Sequence, residues 1–181
     1  MEKSTIENLD QNTKKLILVG LDNAGKSSIL LSLQGIKNLS EFSSVNPTRD
    51  SDMVNFKAFD LGYNIIDLGG QEAYRYNHLE NFNQYLTGAN KIIYVIDIQD
   101  EDRYDLAIKY LKSIINLVRE NHVVIDFSIF LYKFDPDLDQ FNKKININGL
   151  ITMIKVSIAP DFAYTLHKTS IYTVFEKIKI D

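Results

Sequence analysis

Apolar positions in this chain fall into short runs and helical stripes that alternate from end to end. Lys15-Leu16-Ile17-Leu18-Val19 is an apolar run closed by Gly20, the signature of a buried strand. Ile29, Leu30, Leu33 and Ile36 then recur at helical spacing. Residues 36–50 are polar, contain Pro47, and read as a loop. Met53 to Phe59 and Tyr63 to Leu68 read as two strands around a short turn at Asp60-Leu61-Gly62. Helical character returns around Leu79, Phe82, Tyr85 and Leu86, and Ile92 to Ile96 is a buried strand. Asp100 to Asn121 is the best helix, with Tyr104, Ile108, Leu111, Ile115 and Val118 on one face. Val123 to Tyr132 predicts a strand, Leu138 to Ile158 a helix, residues 162–169 a strand and 171–180 a final helix. This alternation predicts a doubly wound α/β domain over residues 14–181, after a polar extension at 1–13. Its sheet has six strands, mostly parallel, with the second and third paired antiparallel and helices on both faces.

Composition narrows the function classes. A net charge of −4 gives no reason to expect nucleic-acid binding. The absence of cysteine removes disulfides, thiolate zinc sites and prenyl or palmitoyl attachment. No apolar run approaches the length needed to cross a bilayer. Met1-Glu2-Lys3-Ser4 begins no signal peptide, and Glu2 stands where N-myristoylation needs glycine. The expectation is a cytoplasmic monomer without a lipid anchor, touching membranes at most peripherally.

The chemistry starts at Gly20. Gly20-Leu21-Asp22-Asn23-Ala24-Gly25-Lys26-Ser27 matches G-x-x-x-x-G-K-[ST] between a predicted strand and a predicted helix. Inward-pointing loop amides and the helix N-terminus bind phosphate oxygens. Lys26 is placed to neutralise the β- and γ-phosphates, and the Ser27 hydroxyl to bind Mg²⁺. Gly25 lets the backbone approach phosphate with no Cβ in the way.

Such a loop serves kinases, ATPases and GTPases alike, so three further features decide. Asp67-Leu68-Gly69-Gly70-Gln71 closes the third predicted strand. Asp67 can hold Mg²⁺ through water, Gly70 can offer its amide to the γ-phosphate, and Gln71 can orient an attacking water. Thr48, after Pro47, can add a hydroxyl to Mg²⁺ and an amide to the γ-phosphate. Tyr132-Lys133-Phe134-Asp135 ends the fifth predicted strand. Asp135 can accept from N1 and N2 of guanine, a pair adenine cannot offer, while the Lys133 stem packs over the base.

Together these residues resemble the Ras-like small GTPases, most closely the Arf family. Gly20 to Ser28, Asn46-Pro47-Thr48 and Asp67 to Gln71 are similar to the Arf motifs, including Asp22 where Ras relatives usually carry glycine. In the second half, Ile93 to Asp100 and Thr169-Ser170-Ile171-Tyr172 resemble the Rag GTPases. The resemblance implies that Gly20, Asp22, Asn23, Ala24, Gly25, Lys26, Ser27 and Ser28 wrap the phosphates of GTP or GDP. It implies Mg²⁺ on Ser27 and Thr48, with Asp67 acting through water. It places guanine against Tyr132, Lys133, Asp135 and the backbone around Ser170-Ile171, and makes Gln71 the catalytic residue. An exchange factor, an activating protein and effectors are implied as partners.

The departures are specific. Tyr132 stands where small GTPases usually have an asparagine that ties the base to the phosphate loop. Ile66 stands where Arf proteins carry an effector-binding tryptophan, and the stretch from Gln71 to Asp97 exceeds the Arf pattern by about four residues, roughly one helical turn.

Arg49 follows Thr48, the wrong side for an arginine finger in cis, and reads as a solvated residue. Tyr74 and Tyr76 read equally well as a partner surface or as packing. His78, His122 and His167 have no metal-ligand spacing, and Asp100-Glu101-Asp102 reads as a charged helix start. The expected function is a slow GTP hydrolase working as a switch. A non-hydrolysing guanine-nucleotide module and an ATP-using phosphotransferase are the competing readings.

Overall fold

The computed structural model describes residues 13–35, 46–58, 61–135 and 145–170. The polar extension, the final helix expected over 171–180 and the first turns of the helix expected from Leu138 lie outside them. The strands are β1 (Thr13–Gly20), β2 (Ser51–Ala58), β3 (Leu61–Leu68), β4 (Lys91–Asp97), β5 (Asp126–Tyr132) and β6 (Thr165–Lys168). They form one six-stranded sheet in the order β2-β3-β1-β4-β5-β6. Only the β2–β3 pair is antiparallel, running from Ser51↔Leu68 to Ala58↔Leu61. The other pairs are parallel, so the ends of β1, β3, β4, β5 and β6 lie on one edge. In such sheets, ligands bind beyond that carboxyl edge.

The core follows from alternation along the central strands. In β1, Ile17 and Val19 enter one buried cluster while Leu16 and Leu18 enter the other. In β4, Ile92, Tyr94 and Ile96 face the first cluster, and Ile93 and Val95 the second. The second cluster is closed by Ile29 and Leu30 of α1 (Lys26–Leu33). The first is closed by α4 (Tyr104–Glu120), whose Ile108, Leu111, Ile115 and Val118 lie inward at helical spacing, and by α5 (Ile147–Ser157). Burying one such aliphatic side chain contributes about 2 kcal/mol, which makes this two-sided core the main source of stability.

Between β3 and β4 lie α2 (Glu72–Glu80) and the short α3 (Phe82–Leu86), broken at Asn81. Helix thus begins seven residues before the first apolar position that signals it, Leu79. The reason is that two inward positions of α2 are polar, Arg75 and His78, which hydrophobic periodicity cannot register. Strand β5 begins at Asp126, paired with Lys91, rather than at Val123. The apolar run Val123-Val124-Ile125 overshoots the start of β4, and Val124 is fully exposed. The charged stretch Asp100-Glu101-Asp102 stands at the start of the helix, as expected. Glu101–Arg103 is a 3-10 turn, Asp100 makes no side-chain cap, and the α-helix proper starts at Tyr104.

Candidate nucleotide-binding site

The site is built where β1 gives way to α1. Gly20 ends β1 so close to β4 that a Cβ would lie 2.3 Å from the Val95 carbonyl oxygen. The chain then turns through Asn23 and Gly25, both with positive φ, into the first turn of α1. Lys26 is buried, and its Nζ donates to the carbonyls of Gly20 (3.2 Å) and Leu21 (2.9 Å). Burial pulls its ammonium below the ordinary lysine range, and the carboxylates of Asp67 and Asp22 oppose that pull. A buried cation hydrogen-bonded to neutral carbonyls favours an anion beside it.

Ser27, Thr48 and Asp67 come from α1, the loop before β2 and the end of β3, and they converge. Ser27 Oγ donates to Asp67 Oδ2 at 2.6 Å, Thr48 Oγ1 donates to the same oxygen at 3.0 Å, and the two hydroxyls are 3.1 Å apart. Asp67 Oδ1 is buried and has no hydrogen-bond partner among the described residues. Burial raises the Asp67 pKa, against the nearby Lys26 charge and the two hydroxyls. Hard oxygens with an unsatisfied carboxylate atom suit a small divalent cation such as Mg²⁺.

Gly70 lies against the phosphate loop. A Cβ there would sit 2.1 Å from the Asp22 nitrogen and 2.5 Å from the Leu21 oxygen. Its carbonyl accepts from Arg75 Nη1 at 2.8 Å, and the buried Arg75 guanidinium lies 5.8 Å over the Tyr110 ring. Gln71 stands at the N-cap position of α2 without a side-chain cap bond, and shares with Asp22, Asn23, Gly25, Lys26, Ser28, Asn46 and Thr48 a cleft of about 460 Å³. The buried His78 of α2 meets Asp50 Oδ1 through Nε2 at 3.2 Å. Burial lowers the His78 pKa more than the Asp50 carboxylate restores it, so the link is a neutral hydrogen bond rather than an ion pair. The backbone carbonyl of Asp50 accepts from the Gly69 amide at 2.6 Å. The segment after Thr48 is thereby fastened to the segment before Gln71.

The residues expected to read the base lie at the ends of β4, β5 and β6. Lys133 has positive φ, and its Nζ donates to the buried Asp97 at 2.7 Å. The buried Ser170 follows Thr169, whose amide donates to Leu131 and whose carbonyl accepts from Phe134. That ladder holds the Ser170 loop beside Asp135. Ile171 lies outside the described residues. Tyr132 has a plain steric role: its ring packs on Gly25, where a Cβ would fall 2.2 Å from Cε1. Burial, then the Asp135 charge, push its hydroxyl pKa up to about 12. An aromatic contact thus joins the base loop to the phosphate loop. Gly25→Ala should cost about 2–4 kcal/mol, from positive φ and the collision with Tyr132. Urea unfolding measures it, and a change under 1 kcal/mol contradicts the contact.

Two arginines escape sequence reading. Arg75 has no signal beyond its place five residues after Gly70. Arg103 donates to Asp22 Oδ1 (3.0 Å), to the Asp22 carbonyl (3.2 Å) and to Asp100 Oδ2 (2.6 Å). It anchors the carboxylate that would otherwise face a bound anion, across 81 residues of chain. Of the residues set aside, Arg49 is exposed, Tyr76 is 70% exposed and Tyr74 is half-buried.

This fold and this cleft define a small G domain. The model of the ADP-ribosylation factor family matches residues 3–175. Similar proteins include ADP-ribosylation factor-like protein 6 of Caenorhabditis elegans, 28% identical over 156 residues, which are 86% of this chain and 73% of that protein. ADP-ribosylation factor-like protein 2 of Dictyostelium discoideum is 29% identical over 155 residues, covering 82% and 79% respectively. A similar fold is found in the Arl6 BBS3 small GTPase of Trypanosoma brucei, solved with the nucleotide analogue GppNp bound. It superposes with a TM-score of 0.67 over 92% of this chain and 95% of that one, at 14% identity. The chain belongs to the ADP-ribosylation factor family, whose members are GTP-binding molecular switches and, in general, GTP hydrolases.

Proposed function

We propose that this chain is a switch that binds GTP or GDP with Mg²⁺ and hydrolyses GTP slowly. The observation that carries the reading is the meeting of Ser27, Thr48 and Asp67 within 3.1 Å beside Lys26, with Gly70 laid against the phosphate loop. Mg²⁺ supplies charge neutralisation for the phosphate oxygens. Ser27 and Thr48 would hold it directly, and Asp67 through water. Lys26 binds the β- and γ-phosphates. The Gly70 amide meets the γ-phosphate while Arg75 holds its carbonyl. Gln71 orients the water whose oxygen bonds to the γ-phosphorus as the bond to the bridging oxygen breaks. Asp135 accepts from guanine N1 and N2, with the Lys133 stem and the Ser170-Ile171 backbone around the base.

Loss of the γ-phosphate releases Thr48 and Gly70, and with them the two segments around Asp50 and α2. An exchange factor, an activating protein and effectors complete the cycle of a cytoplasmic monomer, with Tyr76 on the surface that changes. Single-turnover hydrolysis tests the reading. The native chain should release phosphate on the order of once per hour, and Gln71→Leu on the order of a hundredfold more slowly. Bound GTP that is never hydrolysed, with or without cell extract, favours the non-hydrolysing module.

A further inference from the structure

Gln99 lies two residues beyond β4, half-buried, with no place in the motifs that define the site. Its backbone amide donates to Asp97 Oδ1 at 2.9 Å, which fixes the residue on the strand end. Its side-chain Nε2 donates to the Lys133 carbonyl at 3.0 Å and to Asp135 Oδ2 at 3.1 Å. The second oxygen of Asp97 accepts from Lys133 Nζ at 2.7 Å. One strand end therefore grips the neighbouring loop by its backbone, its lysine and its terminal carboxylate.

Two features make this grip consequential. Lys133 has φ +62°, a left-handed conformation that costs a non-glycine residue about 1 kcal/mol and needs an external hold. The carboxylate two residues later turns about two side-chain bonds, and reading guanine requires both of its oxygens to face one edge of the base. Gln99 fixes both the backbone turn and one carboxylate oxygen. Hydrogen bonds from guanine N1 and N2 would add to the one Asp135 accepts from Gln99.

We propose that Gln99 is a positioning residue for guanine selection, acting through Asp135. The inference rests on the guanine reading above. It is tested by affinities for GDP and for inosine diphosphate, whose base keeps the N1 proton and lacks the 2-amino group. Misplacing the carboxylate costs the ligand that uses both oxygens more than the ligand that uses one.

Gln99→Leu should weaken GDP about tenfold, the worth of one well-placed hydrogen bond. It should weaken inosine diphosphate about threefold or less, so the preference for guanine shrinks. In the Asp135→Ala background the same substitution should change GDP affinity less than about twofold, because the group it positions is gone. Gln99→Glu keeps the shape and sets a carboxylate against Asp135 and the Lys133 carbonyl. It should weaken GDP at least as much as leucine does, and it carries the comparison if Gln99→Leu does not fold. Equal losses for the two nucleotides, or a full loss persisting without Asp135, overturn the positioning role. A native chain that prefers GDP alongside a variant that prefers it equally overturns this inference alone. A native chain that binds neither nucleotide overturns the guanine reading and this inference with it.

Discussion

Lys26→Ala is expected to bind GDP about a thousandfold more weakly than the native chain, one of the two largest effects in the site. The Lys26 ammonium is only 5% exposed and is held by two loop carbonyls, Gly20 and Leu21, with its pKa drawn down by desolvation. In that state the charge is a cost to the empty protein. A polyphosphate offers the counter-charge at short range in a site shielded from water, where charge-assisted hydrogen bonds are strongest. Truncating one partner of such a pair costs about 2–5 kcal/mol, which spans the thousandfold expected. The same reasoning separates binding from folding. Without nucleotide, Lys26→Ala should shift the urea midpoint little, because the desolvation cost it removes is offset by the loss of the charge facing the buried Asp67. With saturating GDP the native chain should gain stability by mass action and the variant should not. Equal stabilisation of both chains by GDP would contradict a phosphate-binding role for Lys26.

Asp135→Ala is expected to weaken GDP to a similar extent, about a thousandfold, and to remove most of the preference for GDP over ADP. The carboxylate offers two charged acceptors to a base edge that carries two donors. A site built to satisfy particular polar groups rejects a ligand lacking them much more strongly than an apolar pocket rejects a missing methylene. The environment of Asp135 supports this use. Its Oδ2 accepts from Gln99, and its loop is pinned by Phe134 and Thr169, so the carboxylate is ordered before ligand arrives. Binding then spends little on ordering side chains. The two substitutions differ in signature. Lys26→Ala should weaken every nucleoside diphosphate alike, whereas Asp135→Ala should leave ADP affinity within about threefold of the native value. A uniform loss from Asp135→Ala would contradict base reading.

Legibility in the sequence followed the range of each interaction. The phosphate loop was readable because strand, turn and helix start are consecutive, and phosphate tolerates few residue types there. The central strands and α4 were readable because their buried positions are apolar at the right period. α2 was not, because Arg75 and His78 occupy its inward face and their partners, Gly70 and Asp50, lie in other segments. Strand β5 was drawn too long because register with β4, rather than local hydrophobicity, sets its start. Tyr132 looked like a departure from the asparagine usual in small GTPases. Its packing on Gly25 joins two loops more than 100 positions apart, which no local pattern announces. Arg103 on Asp22 and Gln99 on Asp135 are the same case. Each residue is unremarkable where it stands and acquires meaning only when β1, β4 and β5 lie side by side.

The central claim is that the cleft selects guanine nucleotides, and thermal unfolding of the native chain with Mg²⁺ and either GDP or ADP tests it most directly. In a guanine-selective cleft, 1 mM GDP raises the midpoint by several degrees, roughly the effect of 2–3 kcal/mol of ligand stabilisation, while 1 mM ADP moves it by less than about one degree. Equal shifts from the two nucleotides, or a larger one from ADP, would contradict it.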